Sequence, residues 1–167
     1  PGVAEGAALA AAGAEAQLVV AKTKSKRATV AIARAPHAID AAKVGRAPGK
    51  LYVVGIGPGT AQMRSPAASA AIAAASDLVG YGLYLDLLGT AAEGKTRHQS
   101  DLGAEADRAR MALDLAGQGK SVALVCSGDA GIYALATLVF ELIEREANPA
   151  WRGTEIMVVP GVSALQA

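Results

Sequence analysis

Two short runs of β-prone, almost unbroken apolar residues, Leu51-Tyr-Val-Val-Gly-Ile56 and Ser121-Val-Ala-Leu-Val-Cys126, most narrow what this chain can fold into. A strand with one wet face alternates apolar and polar residues, whereas a strand covered on both faces reads as a continuous apolar run. Cover on both faces requires helices above and below the sheet, and the intervening sequence supplies them. Ser65 and Pro66 have the N-cap and first-turn order of a helix running to Ala75. Asp77-Leu-Val-Gly-Tyr81 reads as the next strand and Lys95-Thr-Arg-His98 as another. A helix opens at Asp101 or Gly103 and runs to Gly117, with Ala106, Ala109, Leu113 and Ala116 inward and Glu105 within reach of Arg108. Ala130 to Glu146 predicts a further helix with Leu135, Leu138, Val139 and Leu142 inward, and Glu155 to Val159 a last strand. Alternation of this kind predicts an α/β fold, a mostly parallel open sheet flanked by helices.

The first fifty residues differ in character. They hold eight Lys or Arg against three Asp or Glu, while residues 51–167 hold eight against twelve, although the whole carries only +1. Val3 to Ala16 predicts an alanine-rich helix stopped near Gly13, and Gln17 to Val20 and Ala28 to Ala33 predict two short strands around the basic turn Lys22 to Arg27. That turn reads as a solvated one. Prolines, glycines and no sustained period make residues 37–49 a linker, so the organisation expected is a partial small α/β piece at 1–36, the linker, and a domain at 50–167. Pro1 at one end and a strand closely followed by Ala167 at the other suggest an internal fragment of a longer protein.

Composition removes several functional classes. At 52% hydrophobic and 19% charged residues the chain is foldable, not disordered. The near-neutral balance argues against nucleic acid as the main partner, and no apolar run is long enough for a bilayer. Cys126 is the sole cysteine and, with His37 and His98 far from it in sequence, matches no metal-ligand spacing, so no metal is expected. A reducing, cytoplasmic compartment is the corresponding expectation.

Ligands of open parallel sheets bind beyond the carboxyl ends of the strands, which directs attention to three loops: Gly55-Ile-Gly-Pro-Gly59, Ser127-Gly-Asp-Ala-Gly-Ile-Tyr133 and Pro160-Gly-Val-Ser163. The first departs from the dinucleotide fingerprint, which leaves a dinucleotide-binding domain only as the alternative reading. Its third glycine comes one position early, Pro58 removes an amide donor, and Asp77 precedes its strand instead of following it. No Lys-Ser or Lys-Thr follows to make a Walker loop. Asp129 has two readings, a carboxylate facing a cation or polar ligand, or the N-cap of a helix starting at Ala130. Cys126 reads as core.

Taken together, GIGPG after the first strand of the domain, SGDAGIY after the fourth and VPGVSA after the last resemble the tetrapyrrole methylase family over about residues 50–167. Ala130, in place of the proline most members carry, and Val79 to Leu88 are similar to the branch that methylates carbon 17 of precorrin-3B and contracts the ring to precorrin-4. The resemblance implies S-adenosyl-L-methionine as cofactor, held in a cleft shared with a second α/β domain, and a corrinoid small molecule as substrate. It places Gly128, Asp129 and Ile132 against the cofactor, with Ser163 and Ala164 near its other end. Gly57, Pro58, Gly59 and Tyr81 would border the macrocycle, while Arg64, Arg97 and His98 either pair with its carboxylates or lie on the surface as solvated charges. Tyr81, Tyr84 and Asp86 are conceivable proton handlers, with packing as the alternative for the tyrosines. A homodimer is implied for the full-length parent, and the fragment alone is expected to be inactive. Residues 2–36 resemble the end of a domain shared by the CobE and CbiG proteins of cobalamin biosynthesis, which points to the same pathway.

Overall fold

Helix and strand segregate along the chain as their composition requires, and the computed structural model describes residues 1–40, 49–132 and 135–163. The chain divides into two compact units, Pro1–Arg46 and Ala47–Ala167.

In the first unit, α1 (Val3–Ala12) stops at Gly13, whose φ of 97° suits glycine alone. It lies on an antiparallel hairpin of β1 (Gln17–Lys24) and β2 (Thr29–Arg34). β1 runs on past its apolar core through Lys22 and Lys24, whose side chains are exposed, so it takes in the start of the expected basic turn, while β2 keeps its expected length one residue later. Helix and hairpin are fastened by Glu5, whose two carboxylate oxygens accept the amides of Gly2 at 2.8 Å and Lys22 at 3.0 Å. Those two hydrogen bonds hold the Glu5 carboxyl below the ordinary carboxylate range.

The second unit is the expected parallel sheet. Its strands are β3 (Lys50–Gly55), β4 (Asp77–Tyr81), β5 (Thr96–Ser100), β6 (Ser121–Cys126) and β7 (Glu155–Val159), in the spatial order β5-β4-β6-β3-β7, every pairing parallel. The helices are α2 (Pro66–Ala74), α3 (Gly82–Asp86), α4 (Glu105–Gly117) and α5 (Leu135–Glu146). The chain moves one way across the sheet from β3 to β5 and the other way from β5 to β7, so right-handed crossovers put α2 and α3 on one face and α4 and α5 on the other. Packing follows that division. Leu51, Val53, Val122 and Leu124 meet Ala109 and Leu113 of α4 and Val139 and Leu142 of α5. Val54, Leu78, Ala123 and Val125, facing the opposite way, meet Ala68, Ala71 and Ile72 of α2 and Leu85 of α3. β7 closes one edge and leaves Met157 and Val158 exposed.

Two expectations shift. Helix α5 does not begin at Ala130, since residues 130–132 are bends and helix is described from Leu135. On α4, Ala112 and Arg108 are buried, while Ala106, which the spacing turned inward, is half-buried. The Glu105–Arg108 pair forms at 2.8 Å. Most of the expected linker, residues 41–48, lies outside the described residues.

At the amino end of the sheet, Asp77 is almost fully buried, yet its Oδ1 accepts from Lys120 and meets His98 Nε2, each at 2.8 Å, and its Oδ2 accepts from Ser76 at 2.8 Å. Burial pushes this carboxyl up, but the bonds from Lys120, His98 and Ser76 prevail and hold it at about 2. A carboxylate lowered by folding stabilises above its unfolded pKa near 4 and loses that contribution as pH falls through the folded value. Asp77→Asn should therefore unfold about 2 kcal/mol more easily than wild type at pH 6, and the gap should close between pH 4 and 2. Urea unfolding of both proteins across that range checks it, and a gap independent of pH would show that the cluster does not act through the charge.

Candidate functional site

Strands β3 and β6 lie side by side, and the segments leaving their carboxyl ends turn to opposite faces, which opens a crevice between them. The loops at this crevice are sewn together. Gly57 N–H donates to the Gly128 carbonyl at 3.1 Å and Gly128 N–H returns to the Gly57 carbonyl at 2.9 Å, an isolated antiparallel bridge between the loop after β3 and the loop after β6. The loop after β7 joins through Asp129, whose Oδ1 accepts from Gly131 N–H at 2.7 Å and whose Oδ2 accepts from Gly161 N–H at 3.0 Å. Ser65 adds a fourth link. Its Oγ caps α2 by accepting from Ala68 N–H at 3.1 Å and donates to the Pro160 carbonyl at 3.4 Å.

This arrangement corrects the N-cap reading of Asp129. Both carboxylate oxygens are committed to backbone amides of two separate loops, so the side chain is a clamp between them. Close approach of the loops demands glycine at two places. A Cβ on Gly161 would stand 2.6 Å from the Gly55 carbonyl oxygen and nearer still to that of Gly128, and a Cβ on Gly55 would overlap Gly128 and stand 2.8 Å from the Ala130 amide. Gly128 is the opposite case, with φ 63° and no described residue within 4 Å of a Cβ, so on that side its α-carbon faces open space.

The remaining residues singled out from sequence do not all gather at this knot. Ile132 is exposed and Ser163 is buried, while Ala164 and Tyr133 lie outside the described residues. Gly57 is buried in the bridge and Pro58 is exposed beside it. Gly59, with φ 108°, packs so closely on Leu87 that a Cβ would meet Leu87 Cδ1 at 2.7 Å. Tyr81 and Tyr84 are half-buried and stack edge to face, ring centroids 5.3 Å apart, which satisfies their packing role. Asp86 pairs with Arg97 at 2.6 Å. His98 is turned away from the crevice to Asp77 at the other end of the sheet, so it cannot pair with a ligand bound here. Arg64, by contrast, is buried beside the crevice instead of lying on the surface.

Cys126 ends β6 with its S–H directed at the Val54 carbonyl, 3.5 Å away. Burial, reinforced by the nearby Asp129 charge, pushes its thiol up to about 12, which leaves little thiolate at neutral pH. Among the described residues no three His, Cys, Asp or Glu side chains are grouped to hold a metal ion, and no helix is long and apolar enough to cross a membrane. What the described residues of the crevice offer a ligand is mainly backbone and open space.

Residues 50–167 match the family described as Tetrapyrrole (Corrin/Porphyrin) Methylases. The chain belongs to the tetrapyrrole methylase family. Within that family it is 44% identical over 119 residues to cobalamin biosynthesis protein CobIJ of Mycobacterium bovis, covering 71% of this chain and 22% of that protein. It is 42% identical over 120 residues to the precorrin-3B C(17)-methyltransferase of a Sinorhizobium species, covering 71% of this chain and 46% of the relative. The crystal structure of the methyltransferase CobJ superposes with a TM-score of 0.63 at 42% identity, over 70% of this chain and 48% of that one. A uroporphyrin-III C-methyltransferase of Thermus thermophilus complexed with S-adenosylhomocysteine shares the fold, with a TM-score of 0.53 at 20% identity over 70% of this chain and 50% of that one. The chain spans less than half the length of these curated relatives. The fold and the family of residues 50–167 thus agree with what the three loop motifs imply.

The sequence marked Gly161 only as part of the loop after the last strand, not as the point where three loops meet, and it did not mark Arg64 as a buried charge. The first had a signal, a glycine directly after the proline that ends β7. The second had none, because an arginine just ahead of a helix N-cap reads as surface.

Proposed function

We propose that the protein carrying this chain is an S-adenosyl-L-methionine-dependent methyltransferase of corrin-ring biosynthesis, methylating carbon 17 of precorrin-3B with contraction of the ring to precorrin-4. The observation that carries the reading is the knot of three strand-end loops, which occurs in a segment 42% identical to a precorrin-3B C(17)-methyltransferase. Cofactor fit is supported by the open space over the Gly128 α-carbon, a cradle that any larger side chain would fill. S-adenosylmethionine supplies an electrophilic methyl group on a sulfonium. Such chemistry asks the protein for position, not for a nucleophile.

In this reading Gly128 and Ile132 present backbone and an apolar side chain to the cofactor, with Ser163 and Ala164 at its far end. Asp129 holds the loop after β6 to the loop after β7 and so fixes the spacing of the cradle. Carbonyls and C–H contacts suit a sulfonium better than a nest of amides would. Gly57, Pro58, Gly59 and Tyr81 border the corrinoid substrate, and the Gly57–Gly128 bridge keeps the two halves of the site in fixed relation. The first unit is the end of a CobE/CbiG-like domain, residues 1–36, and the full-length protein is a cytoplasmic homodimer.

Mass spectrometry of the purified full-length protein should find S-adenosylmethionine or S-adenosylhomocysteine bound. Retention of NADPH with no adenosyl ligand would replace this reading with a dinucleotide-binding one.

A further inference from the structure

Arg64 is a buried cation to which the described residues offer no counter-charge. It ends the loop that follows β3, and 9% of its surface is exposed. One donor, Nη2, bonds the Leu87 carbonyl at 3.2 Å, and the covered Nε has no partner. No carboxylate among the described residues forms an ion pair with it. Arg108, the other buried guanidinium, shows what the chain does when an arginine is structural. It meets Glu105 at 2.8 Å, the Asp101 carbonyl at 3.0 Å and Ser100 at 3.3 Å.

A charge taken from water without an opposite charge is held at a cost in free energy that an arriving anion would offset. Nη1 makes no hydrogen bond with a described residue and is not among the covered, unpartnered atoms, so it is the donor open to a ligand. The surroundings narrow the kind of anion. Met63, Leu83 and Leu87 are exposed large apolar residues on the segments flanking Arg64, and Gly59 packs on Leu87. Pro58 takes one amide out of the adjoining loop, and no lysine lies in residues 51–94, so a phosphate would find one guanidinium and few other donors. One cation set among apolar side chains fits a broad apolar body with carboxylates at its rim.

We propose that Arg64 anchors one peripheral carboxylate of the macrocyclic substrate through Nη1 and thereby fixes which edge of the ring turns towards the loop after β3. The identity of the ligand rests on the methyltransferase reading, whereas the uncompensated charge does not. The competing role for Arg64 is a strut that ties its loop to Leu87.

The test uses the full-length protein with three probes: uroporphyrin III, its methyl ester in the same detergent-containing buffer, and S-adenosylhomocysteine. Arg64→Met keeps the bulk and removes the charge, and Arg64→Lys keeps the charge. The Met variant should bind uroporphyrin III at least about tenfold more weakly, with the Lys variant between it and wild type. Both variants should hold S-adenosylhomocysteine within about twofold of wild type, and the ester should not distinguish them. Equal affinity of Arg64→Met and wild type for the acid overturns the anchor, as does an equal loss for acid and ester or a wild-type protein that does not bind the acid. If Arg64→Met fails to fold, Arg64→Lys decides: a loss confined to the acid supports the anchor, and none overturns it. Arg64-dependent binding of uroporphyrin III without any binding of S-adenosylhomocysteine would uphold the anchor and end the methyltransferase reading. The converse pattern would do the reverse.

Discussion

Gly161→Ala is expected to lower the melting temperature sharply and abolish S-adenosylhomocysteine binding in the same protein. The added methyl would stand 2.6 Å from the Gly55 carbonyl oxygen and closer to that of Gly128. Both obstacles are backbone at the ends of central strands, so neither can swing away as the tip of a long side chain would. Overpacking costs about 1–3 kcal/mol, and a site ringed by backbone belongs near the upper end. Gly128→Ala is the contrasting case. Its Cβ meets nothing within 4 Å, leaving only the penalty of φ 63°, about 1–2 kcal/mol, while the methyl fills space the cofactor should occupy. Scanning calorimetry and isothermal titration of the full-length variants separate the two: Gly161→Ala loses stability and affinity, and Gly128→Ala loses affinity out of proportion to stability. A Gly161→Ala protein that melts and binds like wild type would show that the loops are not held as closely as described.

Asp129→Ala should come next in size. It strands the amides of Gly131 and Gly161, and hydrogen bonds to a charged acceptor contribute about 1.5–3 kcal/mol each, reduced here because water can reach a half-buried site. A net loss of about 2–3 kcal/mol is expected for the pair. Asp129→Asn keeps one acceptor oxygen but turns an NH2 donor towards the other amide, so it should lose about half as much. Because the carboxylate acts by holding two loops, stability and cofactor affinity should fall together across the series. Affinity lost at constant melting temperature would instead mean that Asp129 touches the ligand itself.

The parallel layered fold was legible because its evidence is local. Leu51 to Ile56 and Ser121 to Cys126 are apolar on both faces, and Ser65-Pro66 announces a helix whose cap forms as expected. Strand order was not legible, since nothing near Leu51 says that β6, some seventy residues on, will be its neighbour. The start of α5 was misplaced because Ala130 has helix propensity, but the bends there are held by the Gly57 bridge and the Asp129 clamp, both tertiary. Arg108 could not be turned inward from a periodic reading that treats every charge as polar, although Glu105 beside it was a hint. The site was legible as a set of loops and not as a mechanism of closure. Asp129 and Gly161 are thirty-two residues apart, and no spacing rule joins them.

Cys126 gives the protein a clock. Its sulfur is covered, its S–H is spent on Val54, and with the thiol pushed up to about 12 the reactive thiolate is scarce at neutral pH. A maleimide can therefore label only molecules in which the carboxyl end of β6 has come open, and where reclosing is fast the labelling rate counts the population of that open form instead of the reactivity of the sulfur. Since β6 feeds directly into the Gly128–Asp129 loop, any molecule that occupies the crevice should slow the clock in proportion to its occupancy. The sole thiol among these 167 residues thus becomes a ligand detector that needs no turnover and no coloured substrate.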